Sequence, residues 1–248
     1  MFESAPPFID THCHILPALD DGPITVKESL AMAQMAVKDG VGTIVATPHI
    51  HPGRYENSLE GIKAAAVQFR MDLEEQQIPL TIHVAAEVRL TPKVFGLIKK
   101  GTLPCYGGKE GSCDGARHFL LELPHREIPA GAMMMVEHIR MQGFTPVIAH
   151  PERNYVLKND PDRLHAFLDM GCLVQVTAGA LCGKFGNTSR DAAEIFLERG
   201  WVTVLASDGH SVYRRQPVLQ EGLKEAVRII GMENTLQLVC EAPKQLLC

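Results

Sequence analysis

No apolar run in this chain approaches the length of a membrane-crossing helix, and the start, Met-Phe-Glu-Ser-Ala-Pro-Pro, has neither basic residues nor an apolar stretch. Neither membrane insertion nor a secretion signal is expected. Positive charge is also short. Lys+Arg number 24 against 29 Asp+Glu, a formal net charge of -5, which disfavours nucleic acid as a partner but leaves room for a local basic pocket. The seven cysteines are an odd number without a Cys-x-x-Cys pair, and none has arginine at the Cys-x5-Arg spacing. A reduced, cytoplasmic protein is expected, and a thiolate nucleophile is disfavoured. No Gly-x-Gly-x-x-Gly follows the first strand-like segment, so a dinucleotide site is not expected.

What the chain does have is a repeating alternation. Strand-like segments at 8–14, 42–49, 80–88, 118–123, 145–150, 172–177 and 202–207 alternate with helix-like ones at 25–38, 59–76, 92–99, 130–142, 162–170, 189–199 and 218–230, followed by a helical tail. The glycine-rich stretch 101–117 reads as an exposed loop. Strands alternating with helices imply parallel pairing with crossover connections. Seven near-even units without a linker predict one α/β domain over 1–248, a distorted (β/α)7 barrel related to the TIM barrel.

The polar residues fall in one place along these units. Phe8-Ile9-Asp10-Thr11-His12-Cys13-His14 puts His12 and His14 on one face of a strand. Cys13 between them points the other way, into the core. His12/His14, His49, Glu87, Glu122, His150 and Asp208/His210 all stand at C-terminal strand ends, the face on which parallel barrels build their sites. Any one of these residues has an ordinary structural explanation; six such ends together point to metal. Imidazole and carboxylate donors suit Mn²⁺, Fe or Zn²⁺ better than Ca²⁺ or Mg²⁺. The donors exceed what one ion needs, so two or three ions are implied, with Glu87 able to bridge. Asp20 and Asp21 are both available from the turn that follows, and spacing does not choose between them. His83 reads as interior, and His51, His118, His125, His138 and His165 as solvated. Arg153 follows one ligand strand and the Arg214-Arg215 pair another, which suggests an anionic, phosphate-like substrate held by guanidinium forks.

His12-x-His14-x-Leu16-Pro17-x-x-Asp20-Asp21-Gly22, Thr47-Pro48-His49, Glu87, Glu122, His150-Pro151-Glu152-Arg153 and Ser207-Asp208-Gly209-His210 together resemble the PHP (polymerase and histidinol phosphatase) superfamily. More narrowly they resemble its metal-dependent bacterial tyrosine-protein phosphatases of capsule and exopolysaccharide gene clusters, from residue 8 to about 217. The resemblance implies a distorted seven-stranded barrel with a three-metal centre, usually Mn²⁺. By motif position it puts His12, His14, Glu87 and Asp208 on one ion, Glu87, Glu122 and His150 on a second, and Asp21, His49 and His210 on a third. It thus selects Asp21, and it marks Arg153 and Arg215, beside Asp208, as the catalytic phosphate-binding residues. Gly209 stands where the family more often has Ala, an exchange expected to matter little. The implied substrate is the phosphorylated, tyrosine-rich tail of a bacterial tyrosine kinase. The loop 50–57 crosses the same face, so Arg54 and Tyr55 are expected to meet such a peptide at the rim. A histidinol-phosphate phosphatase on the same fold and metals is the nearest alternative; a non-catalytic, metal-stabilised binding module is the alternative from another class.

Overall fold

In the computed structural model, which describes residues 2, 5–107 and 117–247, the expected alternation is laid out almost segment for segment. The first half runs β1 (Phe8–Cys13), α1 (Val26–Lys38), β2 (Val41–Ala46), β3 (His49–His51), β4 (Tyr55–Glu56), α2 (Leu59–Glu75), β5 (Thr81–Val84), β6 (Glu87–Arg89) and α3 (Lys93–Lys100). The second runs β7 (His118–Glu122), α4 (Ala132–Met141), β8 (Thr145–Ala149), α5 (Tyr155–Asn159), α6 (His165–Asp169), β9 (Leu173–Thr177), α7 (Ala178–Leu181), α8 (Asn187–Glu198), β10 (Val204–Ala206), α9 (Gln220–Leu236) and α10 (Ala242–Leu247). Local chemistry starts the helices where expected. Thr25 and Glu28 form a reciprocal capping box on α1, and the Ser58 hydroxyl accepts from Gly61 N–H on α2. α9 is kinked at Gly231, where the expected helix stops.

β1, β2 and β5 form a three-stranded parallel sheet, and the order β10-β9-β8-β7-β6-β3-β4 forms a second sheet. Its pairs are parallel except the β3–β4 hairpin. Backbone bonds join the two sheets at both sides. On one side the β2–β5 pairing runs on through Ala85 N–H to Ala46 (2.9 Å) and then Glu87 N–H of β6 to Pro48 (3.2 Å); on the other, Asp208 N–H donates to His12 (2.8 Å) and His14 N–H to Gly209 (2.8 Å).

Two expected strands are interrupted. The segment 42–49 breaks at Thr47-Pro48, where proline has no N–H for the ladder, and 80–88 breaks at Ala85-Ala86. The pieces beyond the breaks, β3 and β6, pair with His49 directly beside Glu87. The segment expected as a plain loop over 50–57 is in part the β3–β4 hairpin, which projects from the same end.

Helices pack outside the strands around a continuous core that includes Phe69, Phe119, Phe167 and Phe196. A second, smaller cluster gathers Val45, Ala85, Leu120, Val147 and Val204 from successive strands with Tyr106 and Leu246. Tyr106 corrects the expectation of an exposed loop over 101–117. Leu103, Cys105 and Tyr106 are buried, and the Tyr106 hydroxyl donates to the Thr11 carbonyl at 3.0 Å. Glycine-rich composition hides a segment that fills space among the strands; residues 108–116 lie outside the described residues. Cys13, Cys172, Cys182 and Cys240 are free thiols, and Cys13 is packed as expected. Among the described residues no helix is long and apolar enough to cross a membrane.

Tyr106→Phe should lower unfolding free energy by about 1 kcal/mol, the net worth of one buried hydrogen bond, and Tyr106→Ala by roughly 3–5 kcal/mol through the cavity left behind. Urea unfolding measures both. Equal stability of all three proteins would remove Tyr106 from the packing described.

Candidate metal centre

The strand ends converge on Glu87. Its Oε2 lies 3.3 Å from His12 Nε2, 3.2 Å from His14 Nε2 and 3.1 Å from His49 Nδ1, and its Oε1 lies 2.7 Å from His150 Nε2. Asp208, just beyond β10, turns Oδ1 to His12 Nε2 at 3.3 Å and accepts on Oδ2 from both Arg153 and Arg215. Asp21 Oδ1 sits between His49 Nε2 (3.3 Å) and His210 Nε2 (3.4 Å). Glu122 is held by Arg89 Nη1 at 2.8 Å. The structure therefore brings His12, His14, Asp21, His49, Glu87, Glu122, His150, Asp208 and His210 into one cluster.

Backbone geometry aims several of these groups. His150 and Asp208 adopt positive φ (32° and 51°), a conformation uncommon for residues other than glycine that recurs at functional sites. At both, the chain turns off a strand end. Asp10 accepts from Ser207 N–H (2.9 Å), from the Ser207 hydroxyl and from His12 N–H (3.3 Å), tying β1 to the segment after β10. In the Asp20-Asp21-Gly22 turn a Cβ on Gly22 would lie 2.4 Å from the His14 carbonyl oxygen, so only glycine fits there.

Outer partners fix the rings. Gln175 Oε1 accepts from His150 N–H (3.2 Å), which orients its amide, and lies 2.9 Å from His12 Nδ1. Asp20 Oδ2 accepts from His49 N–H (2.8 Å) and lies 2.6 Å from His14 Nδ1. Both contacts put the proton on Nδ1 and leave Nε2 facing inward, the arrangement seen around metal-binding histidines. The two aspartates left open by spacing thus take different positions: Asp20 behind a ring, Asp21 in the cluster.

Electrostatics fit the same reading. Burial would raise Glu87, yet His12 and His49 hold it well below the usual carboxylate range. Burial would also raise Asp208, and Arg153, His12 and Arg215 hold it down. Burial pulls His12 down, but Asp208 and Glu87 carry it to about 9. Burial and then Arg153 take His150 to about 3; burial and then His14 take His210 to about 4. Both of those rings are neutral at physiological pH, whereas the carboxylates around His12 favour its protonated form, a proton that ligation of a cation would displace. Glu122 rises to about 7 through burial and then the Glu87 charge. His49 Nδ1, Glu122 Oε2, Asp208 Oδ1 and His210 Nε2 are buried without a hydrogen-bond partner, although buried polar atoms are normally paired. Three groups have donor atoms all within 4.8 Å of one another: His14/Asp21/His49/His210, His12/His14/Glu87/Asp208 and His49/Glu87/Glu122. A mixed N/O donor set with orphaned, inward-facing atoms can hold cations.

A cavity of about 90 Å³ opens beside the cluster, and Arg54, Arg89, Arg153 and Arg215 stand in its wall with His51 and His125. Arg214 lines a neighbouring groove instead. Arg54 lies over the Tyr55 ring (5.0 Å), and that ring stacks on His49 (5.5 Å). His125 is exposed, as expected, and stacks on His150 at 6.0 Å; His51 borders the cavity, and neither ring joins a donor group. Arg89 and Gln175 were missed. Arg89 shares a strand face with Glu87, and Gln175 is a polar residue inside an apolar strand, so both carried a readable signal. The Gly209 expectation also changes: a Cβ there would lie 2.8 Å from Pro217, so alanine requires the segment carrying Arg215 to move.

The profile of the family described as capsular polysaccharide synthesis, CpsB/CapC, matches residues 8–248. The chain belongs to this family. It is 34% identical over 225 residues to the tyrosine-protein phosphatase YwqE of Bacillus subtilis, covering 91% of this chain and 86% of that one. It is 31% identical over 248 residues to the tyrosine-protein phosphatase CpsB of Streptococcus pneumoniae, covering 96% and 98%. Among solved structures it superposes with a TM-score of 0.88 and 33% identity, covering 96% of this chain and 94% of the other, on a structure from work on YwqE and CpsB, described there as metal-dependent tyrosine phosphatases. The phosphotriesterase homology protein of Escherichia coli has a TM-score of 0.64 at 12% identity, covering 98% and 99%; this is a likeness of fold alone.

Asp20 holds the His14 ring from behind, so Asp20→Ala should weaken metal binding on the order of 10- to 100-fold while circular dichroism stays unchanged. Titration of Mn²⁺ into chelator-stripped protein measures it. Undiminished affinity would leave Asp20 as a turn residue only.

Proposed function

We propose that the chain is a metal-dependent phosphomonoesterase acting on protein phosphotyrosine, with two or three Mn²⁺ ions in the cluster. His12, His14, Glu87 and Asp208 would hold one, Glu87, Glu122 and His150 a second, and Asp21, His49 and His210 a third. The grouping of His49 with Glu87 and Glu122 makes His49 an additional donor to the second. Hydrogen bonds joining the two sheets support treating β2–β3 and β5–β6 as interrupted single strands of a distorted seven-unit barrel, with 1–248 as one domain. The proposed substrate is a phosphorylated tyrosine kinase of capsule or exopolysaccharide synthesis, met in the cytoplasm.

One observation carries this reading. Arg153 and Arg215 both bind Oδ2 of Asp208, whose Oδ1 faces the ligand cluster. Two guanidinium groups are thereby anchored against the cluster, each with further N–H donors for phosphoryl oxygens. Bound ions would supply a water of lowered pKa and neutralise charge on the transferring phosphoryl group. Arg153 and Arg215 would grip that group and align it for in-line displacement. Glu87 and Asp208 keep the donor cluster anionic. The leaving group decides substrate preference: a tyrosine phenolate, of pKa roughly 10, departs without the proton that a serine alkoxide demands. Arg54, over Tyr55 at the rim, would meet the peptide.

Chelation should abolish hydrolysis, and Mn²⁺ should restore it better than Mg²⁺ because imidazole favours the softer ion. Full activity of metal-free protein would sink the mechanism. The reconstituted protein should cleave phosphotyrosine peptide faster than phosphoserine peptide or histidinol phosphate. Arg215→Ala should cost on the order of 10²-fold in kcat/KM, with metal content unchanged. A best kcat/KM on histidinol phosphate would transfer the same site to that ester, and metal uptake with no phosphoester hydrolysis would make the protein a binding module.

A further inference from the structure

A second concavity adjoins the metal centre. The β3–β4 hairpin and α3 enclose a groove of about 430 Å³, within the range of ligand-binding clefts. Ile50, Val88 and Val94, all buried, and Leu97 give it an apolar lining. Lys93 and Lys100 line it from α3, seven positions apart and hence on one helix face. Arg89 lines both this groove and the arginine-walled cavity beside the cluster, so the two are neighbours. Arg89 is already paired with Glu122, and the two lysines Lys93 and Lys100 meet a single lining carboxylate, Glu56, 3.5 Å from Lys93 Nζ. That pair is exposed on both sides and therefore weak. The groove on the other side of the cluster, about 340 Å³, balances Arg214 and Arg215 against Asp21 and Glu28 and offers no such excess.

We propose that the groove between the β3–β4 hairpin and α3 is a subsite for the acidic flank of a phosphopeptide whose phosphotyrosine occupies the metal centre. This rests on the phosphotyrosine reading above and adds its sequence selectivity. The apolar lining takes side-chain stems, and Lys93 and Lys100 pair with carboxylates beside the phosphorylated residue. The contacts lie far from the bond that breaks, so they bind ground state and transition state alike and act on KM rather than kcat.

The test uses the full-length, Mn²⁺-loaded protein and its Lys93→Gln/Lys100→Gln double variant. Substrates are a phosphotyrosine peptide with Asp and Glu flanks, the same peptide with Asn and Gln flanks, and 4-nitrophenyl phosphate. The wild-type protein should prefer the acidic peptide through KM, and added salt should shrink that preference. The double variant should raise KM for the acidic peptide roughly fivefold, two screened charge pairs' worth, and leave the neutral peptide and 4-nitrophenyl phosphate unchanged. Equal KM values of the wild-type protein for both peptides, or an acidic preference that survives in the double variant, would overturn the subsite while phosphotyrosine hydrolysis stands. Cleavage of 4-nitrophenyl phosphate with neither phosphopeptide accepted would overturn the underlying reading and the subsite with it. A matching thermal midpoint for the variant excludes misfolding as the cause.

Discussion

Glu87 and Asp208 are carboxylates taken almost wholly out of water, and the site is built around the cost of keeping them charged there. Burial of an ion costs several kcal/mol unless opposite charge and hydrogen bonds surround it. Here the compensation is supplied by imidazoles on Glu87 and by two guanidinium groups and His12 on Asp208. No single element can deliver that many partners within contact distance. Parallel strands that end at one level can, because each contributes its last inward residues to a common space. Charge compensation at the centre and the topology of the two joined sheets are therefore one constraint.

A second set of residues makes the convergence accurate. Asp10 holds β1 to the segment after β10, Gln175 holds the His12 ring and the His150 backbone together, and Asp20 does the same for His14 and His49. Each links a ligand-type residue from one strand to a neighbour from another. Tyr106 fills the interior among the strands and bonds the β1 backbone. The left-handed conformations at His150 and Asp208 are sustained by this frame, since strain of order 1–3 kcal/mol per residue persists only where surroundings determine the geometry.

Much of this was legible because it depends on periodicity. Alternation along a strand is enough to pair His12 with His14, and the end of each apolar run locates His49, Glu87, Glu122, His150 and Asp208. What escaped depends on distance in space. Asp20 and Asp21 are adjacent in a turn, and only the fold shows which faces a ring and which faces the cluster. Gln175 has a role because Nδ1 of His12, far away in sequence, lies 2.9 Å from it. His125 reads as a solvated loop residue and is exposed, but that it stacks on His150 is visible only in the fold. Tyr106 was concealed by the glycines that follow it, and the strand breaks at Thr47-Pro48 and Ala85-Ala86 by apolar runs that look continuous.

Asp208 couples the two halves of the site. Its Oδ1 faces the candidate ligand cluster and its Oδ2 the arginines, so in the proposed function one side chain would tie cation binding to anion binding. The two arginines are not equivalent supports. Arg153 is the more enclosed, lies over Phe185 at 4.6 Å and is raised above its ordinary pKa, with Asp208 and Glu152 outweighing the effect of burial. Arg215 comes from the segment after His210 and keeps a buried Nε without a hydrogen-bond partner. Arg153 is therefore the standing counter-charge of Asp208, while Arg215 has spare donor capacity, which the proposed function would direct to a phosphoryl group. Loss of Arg215 leaves Asp208 compensated and the ligand cluster whole; loss of Arg153 strips the buried carboxylate of its better-shielded partner. The asymmetry follows from where the two arginines sit, one in a short buried turn and the other on the strap that Pro217 presses against Gly209.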